Sequence, residues 1–368
     1  MRAPQRRVAR LIAVLLTLTV LAAACGSSGS GSTTDTSKSD GSTATTAAGG
    51  VDLTKLSGTL NGSGSSFADG LYQQIITAMA DKAPDLTVNY NPVGSGQGKK
   101  DFAAKLNDFA GTDSLVKPEE SPAGTYVYVP TAAAPITVSY NLDGVDTLHL
   151  GAETLAKIFQ GEIKSWDDPA IKSDNSGVTL PSKPIVIVHR ADGSGTTSAF
   201  TKYLTKAAGA AWKLGAGDTV AWPGDSQAGQ KNTGVAQIVH STKGAIGYVD
   251  FADAKASKLS FAAIKNKDGN FVSPSLQGAS AALASAAPTP ELTVDVLDAP
   301  GATTYPITAV TYLLLRPSYD AKKGALVKGF VTYVLTDGQS QAAGVDYAKL
   351  PDALAKQGLA QLAKVTVG

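Results

Sequence analysis

The run His189-Arg190-Ala191-Asp192-Gly193-Ser194-Gly195-Thr196-Thr197 carries the side chains best suited to holding an anion. Arg190 offers a planar fork of N–H donors. In extended backbone Asp192 shares its face, so the carboxylate can hold the guanidinium in place. Outside the first ten residues Arg190 and Arg316 are the only arginines, against many lysines, so an arginine here reads as chosen for geometry. The apolar, β-branched residues from Pro184 to Val188 predict a buried parallel strand leading into this run. Phe200, Tyr203, Leu204 and Ala207 predict a helix leading out of it. Ser194 then stands at the N-cap, and the amides of Gly195, Thr196 and Thr197 open the helix. Unpaired N–H groups at the positive end of a helix dipole make an anion site.

The same device recurs upstream. Leu60 to Phe67 reads as a short strand running through Gly62-Ser63-Gly64-Ser65-Ser66 into a helix with Leu71, Ile75 and Met79 on one face, ending before Pro84. Thr87 to Tyr90 is a strand running through Gly94-Ser95-Gly96-Gln97-Gly98 into a helix through Phe102 and Leu106. Asp108 to Ser114 is a strand with a polar tip at Asp113. Further strands are expected at Tyr126–Pro130, Ile136–Asn141, Gly244–Asp250 and as a pair around Tyr305–Arg316. Helices are expected at Glu153–Gln160, Lys323–Leu335 and Pro351–Lys364. Strands alternating with helices predict an α/β fold, in which ligands bind beyond the C-terminal ends of the strands.

Other chemistries fit poorly. Gly98-Lys99 is followed by Lys100 where a Walker A loop needs Ser or Thr, and no G-x-S-x-G elbow surrounds Ser194 or Ser95. His149, His189 and His240 lack metal-ligand spacing, and a single cysteine excludes a thiolate metal centre. The competing enzyme reading is an exported serine enzyme of the penicillin-binding type. Ser114-Leu115-Val116-Lys117 matches S-x-x-K and Ser173-Asp174-Asn175 matches S-D-N, but K-T-G is missing and Lys117-Pro118 disfavours the helix that S-x-x-K requires.

At 368 residues the chain exceeds one typical core, which predicts two lobes. Arg2, Arg6, Arg7 and Arg10 precede an uncharged run, Leu11 to Ala24, of 14 residues. That is too short to span a bilayer and has the form of a secretory signal. The signal ends at Leu21-Ala22-Ala23-Ala24-Cys25, which resembles the bacterial lipobox and makes Cys25 the expected lipidation site, although Leu21 lies one residue further upstream than that pattern prefers. Residues 26–50 lack aromatics and large aliphatics and read as a flexible tether. Without the four signal arginines the 32 basic residues fall to 28 against 31 acidic, a net charge of −3. No basic field remains for nucleic acid or for an acidic membrane surface, so an anion must be held by local geometry.

From residue 58 to about 363 the chain resembles the phosphate-binding proteins of bacterial high-affinity phosphate ABC transporters. The resemblance rests on Gly62 to Phe67, Val93 to Gly96, Asp108 to Asp113, Lys164-Ser165-Trp166-Asp167-Asp168, Arg190 to Thr196, Gly244 to Tyr248 and Tyr305 to Thr308, in that order. It implies a two-lobe, doubly wound α/β clamp of the periplasmic-binding-protein type (type II-like), with the ligand cleft between the lobes. The divisions expected are signal 1–24, lipidated Cys25 and tether 25–50, lobe I at 51–133 and 253–368, and lobe II at 134–252. The crossings then fall near Pro130–Pro135 and Asp250–Asp253. It implies inorganic phosphate held by Ser66, Phe67, Ser95, Arg190, Ser194, Gly195 and Thr196, with Asp113 accepting the ligand's own proton and Asp192 orienting Arg190. It also implies delivery to an ABC permease by a monomer anchored only by its lipid on the extracytoplasmic face, with no cofactor, no metal and no catalysed reaction. Four positions depart from the family pattern. Ser66 stands for Thr, Ala68 for Pro, Gly111-Thr112 for Ala-Ser and Gln97 for Gly; none removes a donor or the acceptor. Another tetrahedral oxyanion is the competing ligand.

Overall fold

The computed structural model describes residues 50–122 and 124–368. The signal, Cys25 and all of the tether except Gly50 lie outside the described residues. The chain passes through β1 (Gly58–Gly64), α1 (Asp69–Ala80), β2 (Leu86–Asn91), α2 (Ser95–Ala103) and β3 (Phe109–Thr112) into a long strand, β4 (Val127–Tyr140). Next come β5 (His149–Leu150), α3 (Ala152–Phe159), α4 (Pro169–Asp174), β6 (Val186–Arg190), α5 (Gly195–Ala207), β7 (Gln227–Gly229), α6 (Lys231–Ser241) and β8 (Ala245–Asp250). After α7 (Phe251–Ala256), the short strands β9 (Ser260–Phe261), β10 (Ala263–Lys265) and β11 (Phe271–Val272) lead to α8 (Leu276–Ser285). The chain closes with β12 (Thr308–Leu315), α9 (Ala321–Leu335) and α10 (Asp352–Ala363).

Nine strands form one sheet in the order β2-β1-β3-β12-β4-β8-β6-β7, with β9 joined to β4. Its two ends are built alike. β2, β1 and β3 run parallel to one another, as do β8, β6 and β7. Antiparallel β12 and β4 link the two ends. The fold is therefore a mixed α/β architecture of two lobes that share β4. This strand pairs with β12 over residues 127–135 and with β8 over residues 136–140.

The separate strands expected at Tyr126–Pro130 and Ile136–Asn141 are thus one. Pro130 and Pro135 do not break it because the register slips between Thr311 and Tyr312 opposite Thr131, and because the long partner changes at Ile136. The strand pair expected around Tyr305–Arg316 is the single strand β12, buried along its whole length. α2 ends at Ala103, short of Leu106: Lys105 turns the chain at φ 60 and leaves Leu106 74% exposed. After the return expected at residue 253, β9 still pairs with the far half of β4 and β10 with β5, so strand pairing does not change there.

Several recurring sequence features serve the core. Trp166 is fully buried, and its Nε1 donates to the Gly244 carbonyl at 3.0 Å. Tyr305 donates to Ile136 O at 2.9 Å, tying the approach to β12 to β4. Under α5, Phe159, Phe200, Trp222 and Tyr248 pack with ring centroids 4.6 to 6.1 Å apart. Aromatic pairs at such spacing add stabilisation beyond area burial, and this cluster fixes the helix whose N-terminus faces the cleft.

Candidate functional site

Each candidate side chain lies at or just past the C-terminal end of a parallel strand, where an open α/β sheet places its ligand. β1 leads to Ser65–Phe67, β2 to Gly94–Ser95 and β3 to Asp113; these make the first wall. β6 leads to Arg190–Thr196 and β7 to the start of α6; these make the second. The walls meet without intervening side chains. The Gly96 amide donates to the Gly193 carbonyl at 3.0 Å. Gly94 sits at φ +90, and a Cβ there would stand 2.4 Å from Asp192 Oδ2, so only glycine fits the position. A Cβ on Gly195 would meet Asp113 Oδ2 and Ser95 Oγ at 2.6 Å, although its backbone strains no side chain.

The first wall centres on Asp113, which is 9% exposed. Ser65 Oγ donates to its carboxylate, 2.7 Å from Oδ1 and 2.6 Å from Oδ2, and Ser95 Oγ donates to Oδ2 at 3.2 Å. Burial pushes the Asp113 carboxyl up to about 6, against the lowering effect of these hydroxyls and of Arg190. The group therefore changes charge near neutrality. Ser66 follows Ser65, and Phe67 is fully buried edge-on to Tyr347, whose hydroxyl donates to the Phe67 carbonyl.

On the second wall the Arg190 side chain is 1% exposed. Its Nε donates to Asp192 Oδ1 at 2.8 Å and its Nη2 to Asp192 Oδ2, so one edge of the fork is committed and the Nη1 edge remains for a ligand. Burial alone would raise the Asp192 carboxyl, but the Arg190 hydrogen bonds and charge outweigh it and hold the group below its ordinary value. The Lys231 amide also donates to Asp192 Oδ1, at 3.0 Å. Tyr248 accepts from the Arg190 amide at 3.1 Å and lies 2.7 Å from Thr197 Oγ1, so its phenol bolts the strand end to the helix start. Ser194 is the N-cap, its Oγ accepting from Thr197 N at 3.1 Å, which leaves the hydroxyl proton available. Gly195 and Thr196 begin α5, so their amides lack helical partners. His189 is half-buried against Trp222, and burial lowers its pKa, so it brings no fixed charge.

The structure thus gathers Ser66, Phe67, Ser95, Asp113, Arg190, Ser194, Gly195 and Thr196 around one cleft, with Asp192 behind Arg190. Ser114 and Lys117 lie outside any helix, so the S-x-x-K run lacks the geometry that the enzyme reading requires. Three participants were missed. Ser65 bonds to Asp113, and the Gly/Ser turn alone could not say which hydroxyl points there. Asn232 is fully buried and reaches Ser66 Oγ at 3.4 Å and Thr196 Oγ1 at 3.3 Å. The Lys99 side chain, 2% exposed, lies 2.8 Å from Glu120 and 3.0 Å from Asp218 beside the second wall. The Asp218 contact has ion-pair distance without hydrogen-bond alignment. Only a lysine in a polar helix signalled it in the sequence. The arrangement offers converging donors from two walls and one buried acceptor, which is chemistry for holding a protonated oxyanion.

A family model described as a PBP superfamily domain matches residues 31–338. The phosphate-binding protein PstS of Pasteurella multocida is 37% identical over 309 residues, 82% of this chain and 88% of that protein. PstS 3 of Mycobacterium leprae is 34% identical over 310 residues, 80% and 83%. Among solved structures, a high-affinity periplasmic phosphate-binding protein, PfluDING, with phosphate bound, superposes with TM-score 0.69 at 23% identity over 82% of this chain and 93% of that one. A phosphate-binding protein from Stenotrophomonas maltophilia gives TM-score 0.64 at 23% identity over 83% and 94%.

Proposed function

This chain belongs to the phosphate-binding protein PstS family of the PBP superfamily, and from that premise we propose that it captures inorganic phosphate in the cleft and delivers it to an ABC permease. Ser66, Arg190, Ser194 and Thr196 donate through their side chains, Ser95 donates by turning its proton from Asp113 to the ligand, and Phe67, Gly195 and Thr196 donate through their amides. Asp113 accepts the proton that phosphate carries, and Asp192 aims Arg190. The protein acts by binding, and no bond of the ligand is made or broken. The single observation that carries this reading is the approach of Gly195 to Asp113 Oδ2 and Ser95 Oγ, which brings a helix N-terminus on one wall against an acceptor on the other. Relatives that are 34% and 37% identical bear the name of phosphate-binding proteins, which supports the choice of ligand.

Lobe I comprises residues 51–133 and the chain from β12 onward, and lobe II the segment between. This division follows strand pairing and moves the second crossing from residue 253 to about 307. Phosphate stabilises the closed clamp because only that form presents both walls to it, and the closed surface is what the permease recognises. The protein works as a monomer on the extracytoplasmic face, tethered through lipidated Cys25. No helix among the described residues is long and apolar enough to cross a membrane. Cys25→Ser is expected to release a folded, phosphate-competent protein into the medium; retention at the membrane after signal cleavage would remove the anchor from the account.

Thermal melting tests the proposal at large. Phosphate at about 100 times its Kd should add about 2.7 kcal/mol by mass action, visible as a rise of several degrees in Tm; an unchanged Tm contradicts it. Gly195→Ala isolates closure. Alanine suits a helix start, but its methyl would stand 2.6 Å from Asp113 Oδ2 and Ser95 Oγ when the walls meet, so the variant should hold the clamp open and weaken phosphate by at least about tenfold. Unaltered affinity would show that the walls need not close this tightly.

A further inference from the structure

We infer that Asn232 is a positioning residue of the anion site, holding the hydroxyls of Ser66 and Thr196 so that both donate their protons to the ligand. The inference rests on the phosphate reading above and extends it to a residue outside the stretches on which the resemblance rests.

A hydroxyl has one proton and two lone pairs. Asn232 Nδ2 lies 3.4 Å from Ser66 Oγ on the first wall and 3.3 Å from Thr196 Oγ1 on the second. Its two hydrogens match two hydroxyl oxygens. Each oxygen that accepts from the amide keeps its own proton free for the anion, because Asp113, the other acceptor of the site, is already engaged by the Ser65 hydroxyl. Asn232 therefore converts two ambivalent hydroxyls into committed donors, and it does so across both walls at once.

Two observations besides distance point the same way. With Nδ2 turned to the hydroxyls, Asn232 Oδ1 is buried without a partner among the described residues. Burying an unsatisfied acceptor is destabilising, and such exceptions call for a compensating role. The backbone that delivers the side chain is also strained. Lys231, the first residue of α6, is held at φ 59, a left-handed conformation that a lysine rarely adopts. That conformation aims the Lys231 amide at Asp192 and the next side chain, Asn232, into the cleft. One helix start thus holds the partner of Arg190 and orients two further donors.

The test uses Asn232→Asp and Asn232→Ala in the mature protein, with phosphate titrated across a pH range and the ligand-free Tm of each variant recorded. Asn232→Asp keeps shape and volume but accepts where the amide donated, so both hydroxyl protons turn away from the ligand and a charge faces it. Phosphate affinity should fall by about 100-fold or more at neutral pH. It should recover as the introduced carboxyl takes a proton on acidification, a recovery beyond the pH dependence that Asp113 and the phosphate's own titration give to wild type. Asn232→Ala should lose about tenfold, with no new pH dependence and an unchanged ligand-free Tm. Asn232→Asp within about threefold of wild type, or weakened equally at every pH, overturns the inference. Should Asn232→Asp fail to fold, Asn232→Ala decides alone, and affinity within about threefold of wild type overturns it. Wild type that binds no phosphate is a different result, which removes the reading on which this inference stands.

Discussion

Arg190→Lys is expected to weaken phosphate binding by about 2 to 4 kcal/mol, roughly 30- to 1,000-fold, despite keeping the charge. The reason is geometric. The guanidinium gives one edge to Asp192 through Nε and Nη2, which leaves its Nη1 edge for the ligand, and its side chain is 1% exposed. An ammonium is a point charge with no second edge. It can satisfy Asp192 and leave the ligand without its strongest donor, or turn to the ligand and leave Asp192 buried and unpaired. Either outcome strands a charge away from water, where an unpaired ion costs more than a lost neutral hydrogen bond. Because the Lys231 amide also holds Asp192, the second wall should keep its shape and the ligand-free Tm should change little. Titration of the variant checks this directly, and affinity within about twofold of wild type would show that Arg190 does not touch the ligand.

Asp113→Asn is expected to change which anion is accepted. At neutral pH phosphate retains at least one proton and sulfate none. A buried carboxylate facing protonated phosphate forms a short charge-assisted bond; facing sulfate it meets a bare oxygen of like charge. The amide of the variant can donate to that bare oxygen, so sulfate binding should rise by at least about tenfold while phosphate weakens. Acid should mimic the substitution in the wild-type protein. Burial pushes the Asp113 carboxyl up to about 6, so the ligand-free group is ionised above that value and protonated below it. Above it the ligand must supply the shared proton, which sulfate cannot do. Below it Asp113 supplies the proton, and discrimination against sulfate should shrink as pH falls through about 6. The sign for stability is the same. A carboxyl raised above its unfolded value favours the folded, ligand-free protein most at pH below about 3.8, and loses that contribution as pH rises through about 6. Sulfate that stays excluded both in Asp113→Asn and at acid pH would place selectivity elsewhere.

The second wall was legible from residue order. A β-branched run, a serine and a helical stripe specify strand, N-cap and helix, and Ser194 does cap α5 through Thr197 N. The first wall was legible as a repeated Gly/Ser device, because close approach of two backbones leaves room for little else. What escaped lies in long-range geometry. Asn232 sits in an unremarkable polar helix start, and its importance arises where β7 ends, opposite a serine 166 positions away. Pro130 and Pro135 read as strand ends, but a bulge and a change of partner let β4 run through both. Lys105 carries no turn signature of the Gly or Asn kind, so nothing marked the early stop of α2. The lipobox and tether have no counterpart among the described residues, and the reading of Cys25 rests on sequence alone.

The most direct measurement of the central claim is calorimetric titration of the mature wild-type protein with phosphate and with sulfate, side by side at neutral pH. The account predicts one phosphate per chain, bound tightly, with no measurable sulfate binding. Sulfate bound as tightly as phosphate, or neither anion bound, would contradict it.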